Sequence, residues 1–352
     1  MTFRGASIDY GLWGLALVPV AIELAFKVGF TPLHAGVALV LFFALGLSHG
    51  ALDRWLFDRV VPGGASGMFY GFYLGAAALQ ALLWWASPQL AFVLFLVLSV
   101  LHLGAGEVQD DRMTDLHRGL ASVARGLLVV GVPLLVHADA VRPVLSALSV
   151  ALPTVSSTMA FALTAAMLSS NLLVFALPRS AGAFGGRREG WRSTAHEWIQ
   201  TAVLTGMFVV LPPLFSFLVY FTLWHGLAHV REMKARFAQS GEAWEELGGA
   251  ALPFAAAASG GLLALWALTS FGASTGLDIA TASAAAVVLV SALTLPHMLL
   301  VSMARWLRPA AVGLADAAAP GEPNLSESRT EPRAWNAWTT LEAPGSQTQT
   351  QP

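Results

Sequence analysis

Residues 196–230 read HEWIQTAVLTGMFVVLPPLFSFLVYFTLWHGLAHV, and how this stretch is divided decides the fold. As one helix it would be about 50 Å long at 1.5 Å per residue, far beyond a hydrocarbon core of about 30 Å. Pro212 and Pro213 would also sit in its interior, where proline removes a backbone hydrogen bond and clashes with the preceding turn. Two spans, 196–211 and 213–230, are therefore expected. Working outward, further apolar runs of membrane-crossing length fall at 10–29, 33–52, 68–87, 89–106, 118–137, 155–177, 249–271 and 281–304. The fold expected is an all-α, polytopic membrane bundle of about ten transmembrane helices. The first run reads as a span and not a leader, since it lacks a basic n-region and a small-residue cleavage site.

Splitting the stretch at the two prolines also settles orientation. With the N-terminus in the cytoplasm, the loop arginines gather on one face, from Arg4 through Arg54, Arg112, Arg118, Arg187, Arg188, Arg192, Arg231 and Arg236 to Arg308. Arg142 alone falls on the other. Merging the two spans would put the most basic loops on opposite faces, against the positive-inside rule. The reading is N-in and C-in, in a cell membrane, with a bacterial inner membrane as the setting. Residues 1–308 form the transmembrane catalytic domain; 309–352, rich in Ala, Pro, Gly, Ser, Thr and Gln, are expected to be a disordered cytoplasmic tail.

Composition narrows the chemistry. Of 352 residues 56% are hydrophobic and only 11% charged, and there is no cysteine. Thiolate metal sites, iron–sulfur clusters, cysteine nucleophiles and disulfide scaffolds are excluded. A formal net charge of −2 offers no basic surface for nucleic acid. A metal in this chain has to be held by histidine or oxygen.

Nine histidines are present, and five share a depth. Counted from the outer end of each span, His49, His102, His225, His229 and His297 lie about 18–24 Å into a core about 30 Å thick. Ionisable groups inside the hydrocarbon are costly and face the bundle interior, so one depth on four helices points to one constellation. His225 and His229, four residues apart in WHGLAH, lie on one helical face at a spacing that chelates a metal or packs a structural pair. Asp53, one turn after His49, and Glu107 and Glu197 at span ends read either as partners orienting metal-bound imidazoles or as interfacial charges. His34, His117, His137 and His196 read as interfacial.

Imidazoles without first-shell carboxylate suit iron, copper or zinc, and burial among apolar helices favours a lipid-soluble substrate. Bis-imidazole haem ligation, as in an electron-transfer protein, would use two histidines and leave the others unexplained. A metal or proton transporter would need a polar path through the whole bilayer, whereas these residues concentrate in the cytoplasmic half. A di-iron desaturase would carry adjacent histidines, and this chain has no HH.

The residues around the histidines carry a resemblance. LGLSHGALD, ending at Asp53, is similar to the Pro-His-Gly-Ala-Leu-Asp motif of the Brp/Blh β-carotene 15,15′-dioxygenases. Leu-His102-Leu-Gly, Pro212-Pro213-Leu-Phe with Tyr220-Phe-Thr-Leu-Trp-His225-Gly-Leu-Ala-His229, and Leu-Pro296-His297-Met continue it in order from about residue 40 to 305. Ser48, Arg54 and Leu103 depart from the family pattern, and none removes a histidine. The resemblance implies a divergent member of a family of membrane enzymes that cleave β-carotene, or a related carotenoid, with O2 at the central double bond to give retinal. It implies Fe(II) held by His49, His102, His225 and His229. His297, Asp53 and Glu197 would stand near the site, and Trp224, Phe221 and Tyr220 would line the substrate path. Membrane lipid is the surrounding partner, and a rhodopsin is the expected recipient of retinal.

Overall fold

The computed structural model describes residues 3–27, 53–61, 66–108, 112–151, 153–178, 187–226 and 279–318. All the regular structure among them is helical. The elements are α1 (Phe3–Phe26), α2 (Asp53–Val60), α3 (Ser66–Ala86), α4 (Pro88–Glu107), α5 (Asp115–Val136), α6 (Ala138–Ala147), α7 (Ser157–Ala176), α8 (Arg187–Val210), α9 (Pro213–Tyr220), a π-helical turn (Phe221–Gly226) and α10 (Ile279–Ala318). The expected spans 33–52 and 249–271 lie outside the described residues. Five helices are long and apolar enough to cross a membrane: α3, α4, α5, α7 and the Ser283–Met303 part of α10.

The chain does break at the prolines. α8 ends at Val210, Pro212 caps α9, and Pro213 occupies its first turn. Proline is tolerated there because the N–H it lacks has no intrahelical acceptor. Several boundaries differ from expectation. α1 begins at Phe3 and is closed by Lys27 in the left-handed region, φ 47°. α8 starts nine residues before the expected 196, and α10 runs over Ile279–Ala318 where a span of 281–304 is expected. Apolar periodicity marks where a helix meets an apolar neighbour, whereas backbone hydrogen bonding continues into polar sequence until something stops it. The chain divides into two compact units, 1–307 and 308–352; the first holds the bundle.

α5 is the hub of that unit, packing on α4, α7 and α8. Thr114 opens it, its hydroxyl accepting from the His117 N–H at 3.3 Å, and Asp115 in its first turn complements the helix dipole. α4 and α5 meet backbone to backbone. A Cβ on Gly104 would overlap the Ser122 carbonyl, and one on Gly126 the Val100 carbonyl. In an apolar solvent helices gain little from hiding apolar surface from one another, and small residues let them associate through close packing instead.

The main buried cluster joins Trp13 and Ala16 of α1, Leu103 of α4, Leu128 and Val132 of α5, Leu204 and Phe208 of α8, and Tyr220 and Trp224. Polar side chains inside the bundle are tied across helices. Trp198 Nε1 donates to the Leu172 carbonyl at 3.0 Å and Thr201 Oγ1 to Asn171 Oδ1 at 3.1 Å, joining α8 to α7. Trp84 Nε1 donates to Ser291 Oγ, joining α3 to α10.

Alanine at Gly104 or Gly126 forces carbonyls that line the α4–α5 contact apart. Each single substitution is expected to lower stability by about 1–3 kcal/mol, the range for overpacking. Thermal unfolding of the detergent-purified protein reads this as a lower midpoint; Gly11→Ala, where the added Cβ meets open space, should leave it unchanged.

Candidate metal centre

Three buried imidazoles from three separate elements come together. His102 lies near the end of α4, His225 in the π-helical turn, and His297 in the middle of α10; their exposures are 8%, 2% and 5%. The His102 ring centroid is 5.0 Å from that of His225 and 4.9 Å from that of His297, both edge-on. First-row metals hold imidazole nitrogens at about 2.0–2.1 Å, which places the centroids of two ligand rings roughly 4.5–5.5 Å apart. Edge-on aromatic contact covers the same spacing. Among the described residues no three His, Asp or Glu side chains form a closed ligand group. His49 and His229, two of the four expected ligands, lie outside those residues.

His297 and His225 each have an identifiable support. His297 Nδ1 donates to Asp53 Oδ1 at 2.7 Å, and the Tyr73 hydroxyl donates to Asp53 Oδ2 at 3.0 Å. A carboxylate only accepts, so Nδ1 carries a proton and Nε2 is the nitrogen that would face a metal. His225 lies against Gly106, where a Cβ would stand 3.4 Å from its Cε1 and 3.5 Å from its Nδ1. The Phe221 ring covers it at 5.3 Å and Tyr220 lies at 6.5 Å. A cysteine-free set of buried imidazoles, one of them oriented by a carboxylate, is the donor chemistry a divalent first-row metal takes.

Of the aromatic residues expected to line the substrate path, Phe221 and Tyr220 flank His225, and Trp224 packs with Tyr220 in the main apolar cluster.

The carboxylates separate into two groups. Asp53 belongs to His297. Glu197 instead accepts from Arg125 Nη2 at 2.7 Å, with Arg125 Nε 3.9 Å from Glu107 Oε2. Gln200 Nε2 donates to Glu107 at 3.0 Å, and the Tyr220 hydroxyl lies beside the same carboxylate. The interfacial alternative for Glu107 fails, since its side chain is 3% exposed. Arg125 is fully buried, its guanidinium 4.8 Å from the Phe175 ring. It was absent from the sequence reading because it sits inside an apolar run and was not counted with the loop charges. A lone charge within a span was the available signal.

His117 also needs correction. It is buried, and its Nε2 bonds the Val174 carbonyl at 2.8 Å, tying α5 to α7. It begins a helix and so read as interfacial, but α7 covers that end. His137, partly buried, bonds the Phe208 carbonyl at 3.0 Å, and His196 packs against Trp13 with centroids 4.7 Å apart. His34 lies outside the described residues.

Among the described residues the bundle is all-helical, carries helices of membrane-crossing length and brings three buried imidazoles together. The comparisons with known proteins give the family. A sequence profile of the beta-carotene 15,15'-dioxygenases matches residues 40–305, well over half the chain, and the protein belongs to that family of carotenoid-cleaving dioxygenases. It is 29% identical over 286 residues to the "Probable beta-carotene 15,15'-dioxygenase Blh" of Halobacterium salinarum, an alignment covering 73% of this chain and 80% of that protein. No solved structure matches.

Arg125→Ala would leave Glu107 buried without its cation. A loss of about 3–5 kcal/mol is expected, as for breaking a buried ion pair. Glu197→Gln should cost much less, because that side chain is 24% exposed. Unfolding midpoints of the two variants in detergent check the order.

Proposed function

We propose that the protein cleaves β-carotene, or a closely related carotenoid, at its central 15,15′ double bond with O2 to give retinal, at a non-haem Fe(II) centre. The ligands in this reading are His49, His102, His225 and His229, with His297 beside them. The observation that carries it is the meeting of His102, His225 and His297 in the bundle interior of a chain from this family. The haem and transporter readings have no comparable support, since the family is one of dioxygenases.

The residues of the chain do the positioning. One alkene and one O2 make two aldehydes with no proton or electron left over, so the reaction asks no side chain for acid–base work. Asp53, Glu107 and Glu197 therefore orient and compensate charge. Bound Fe(II) would supply the one-electron chemistry by which O2 reacts with an alkene. Apolar side chains around the imidazoles, Phe221 and Tyr220 nearest His225, would hold one double bond of the polyene in place and keep water away. Holding it so turns an encounter into an intramolecular step and selects the bond that is cut.

The same reading places the chain in a bacterial inner membrane as ten spans, N-in and C-in, surrounded by lipid, with a rhodopsin as recipient of the retinal. The five membrane-length helices support the setting. The cysteine-free sequence permits a direct test of orientation. A membrane-impermeant maleimide should label Arg142→Cys in intact cells and Ala183→Cys only after permeabilisation; the reverse pattern would overturn the orientation.

In a β-carotene-accumulating bacterial host, chromatography should show carotene loss and retinal appearance. His102→Ala and His225→Ala, at equal protein level, should reduce retinal at least about 100-fold, as removal of a metal ligand would, while His34→Ala retains it. Chelation should abolish activity of the purified protein and Fe(II) restore it. Retinal formation by His225→Ala at the parental rate would rule out the site.

A further inference from the structure

Among the described residues, Asp53, Glu107 and Glu197 are partnered differently. Glu107 and Glu197 share the guanidinium of Arg125. Asp53, 1% exposed, accepts from His297 Nδ1 and from the Tyr73 hydroxyl. The neighbouring Arg54 turns away along α2 to Asp58, 2.8 Å distant. The imidazole and the phenol reach the carboxylate from two different helices, and a carboxylate hydrogen-bonded to one ring nitrogen is the support that a metal on the other nitrogen takes. The metal-bound imidazole then becomes a stronger donor at Nδ1, and the carboxylate a better orienter of the ring.

The placement of the three residues fits that role. They stand on α2, α3 and α10, separated by 20 and 244 positions in the chain, so no local structure brings them together. His297 lies far from either end of a 40-residue helix. A fixed anchor on its ring sets its orientation more tightly than the packing of so long a helix does. Tyr73 is held by ring contact with Phe69 at 5.3 Å, inside the cluster of Trp55, Leu56, Phe57 and Leu300. The His102 ring is directly against His297.

We propose that Tyr73, Asp53 and His297 form one positioning chain, in which the Tyr73 hydroxyl sets the Asp53 carboxylate and Asp53 sets the His297 ring, so that His297 joins the histidines named above as a further ligand of the metal centre. This rests on the imidazole cluster being a metal centre. Tyr73 and Asp53 act through His297 and touch neither metal nor substrate.

The test uses the full-length protein in detergent, stripped with a chelator and titrated with Co(II), whose visible bands report ligand number and type. Asp53→Ala and His297→Ala should weaken Co(II) binding roughly 10–100-fold, the usual effect of losing an orienting partner or more, and both should change the visible spectrum. Tyr73→Phe keeps the ring on Phe69 and loses only the hydroxyl; it should weaken binding roughly 3–10-fold, less than the loss of Asp53 itself. Added to Asp53→Ala, Tyr73→Phe should have no further effect, because links in series are not additive. Tyr73→Phe alone carries the test if Asp53→Ala does not accumulate. An unchanged Co(II) affinity and spectrum in His297→Ala or in Tyr73→Phe would overturn the proposal, as would additive effects in the double variant. Wild-type protein with a His297-dependent Co(II) spectrum and no cleavage of any carotenoid would refute the reaction and leave the chain standing. Retinal formation by wild type, with His297→Ala binding Co(II) as the parent does, would do the reverse.

Discussion

The contact of α4 with α5 at Gly104 and Gly126 is the constraint on which the centre depends. Two backbones lie so close that neither glycine admits a side chain. That approach brings the end of α4, with His102, Gly106 and Glu107, onto the middle of α5, where Arg125 waits. Gly106 then meets His225, and Glu107 meets both Arg125 and Tyr220. Widening the contact by the size of a methyl group would disturb an imidazole pair and a buried ion pair at once, since all of them hang from the same few turns of α4.

Around that contact the interior obeys a rule set by its surroundings. Hydrocarbon offers no hydrogen bonds, so a polar side chain must find its partner within the protein, on its own helix or on a neighbour. His117 reaches a carbonyl of α7 and His137 one of α8, while Trp84 reaches Ser291 on α10. These ties fix helices in relative rotation as well as distance, because each donor meets one acceptor. Among the described residues Arg125 answers Glu107 and Glu197, and His297 answers Asp53.

The π-helical turn at Phe221–Gly226 is the local irregularity of the site. It follows directly on α9, a helix of eight residues begun by proline. The turn puts an extra residue into its circuit and presents His225 to His102 with Phe221 and Tyr220 at its sides. Such turns recur at functional sites because they re-aim a side chain without ending the helix.

Much of this was legible in the amino-acid order. Apolar run length, the two adjacent prolines, the absence of cysteine and the matched depth of the histidines are one-dimensional properties. They determined an all-helical membrane-type chain, a break at Pro212, and a set of imidazoles with no thiolate beside them. The family boxes around His49, His102, His225 and His297 determined the reaction class. Residue pairs were not legible. That Glu197 would turn to Arg125, that Asp53 would hold His297 by way of Tyr73, and that His117 would be covered by α7 depend on which helices are neighbours and how each is rotated. A helix of nearly uniform apolarity carries no strong facing signal in its sequence, because lipid and helix interior are almost equally apolar. Rotation is decided by close packing at small residues and by the few polar groups that must find one another, and only the tertiary structure brings those together.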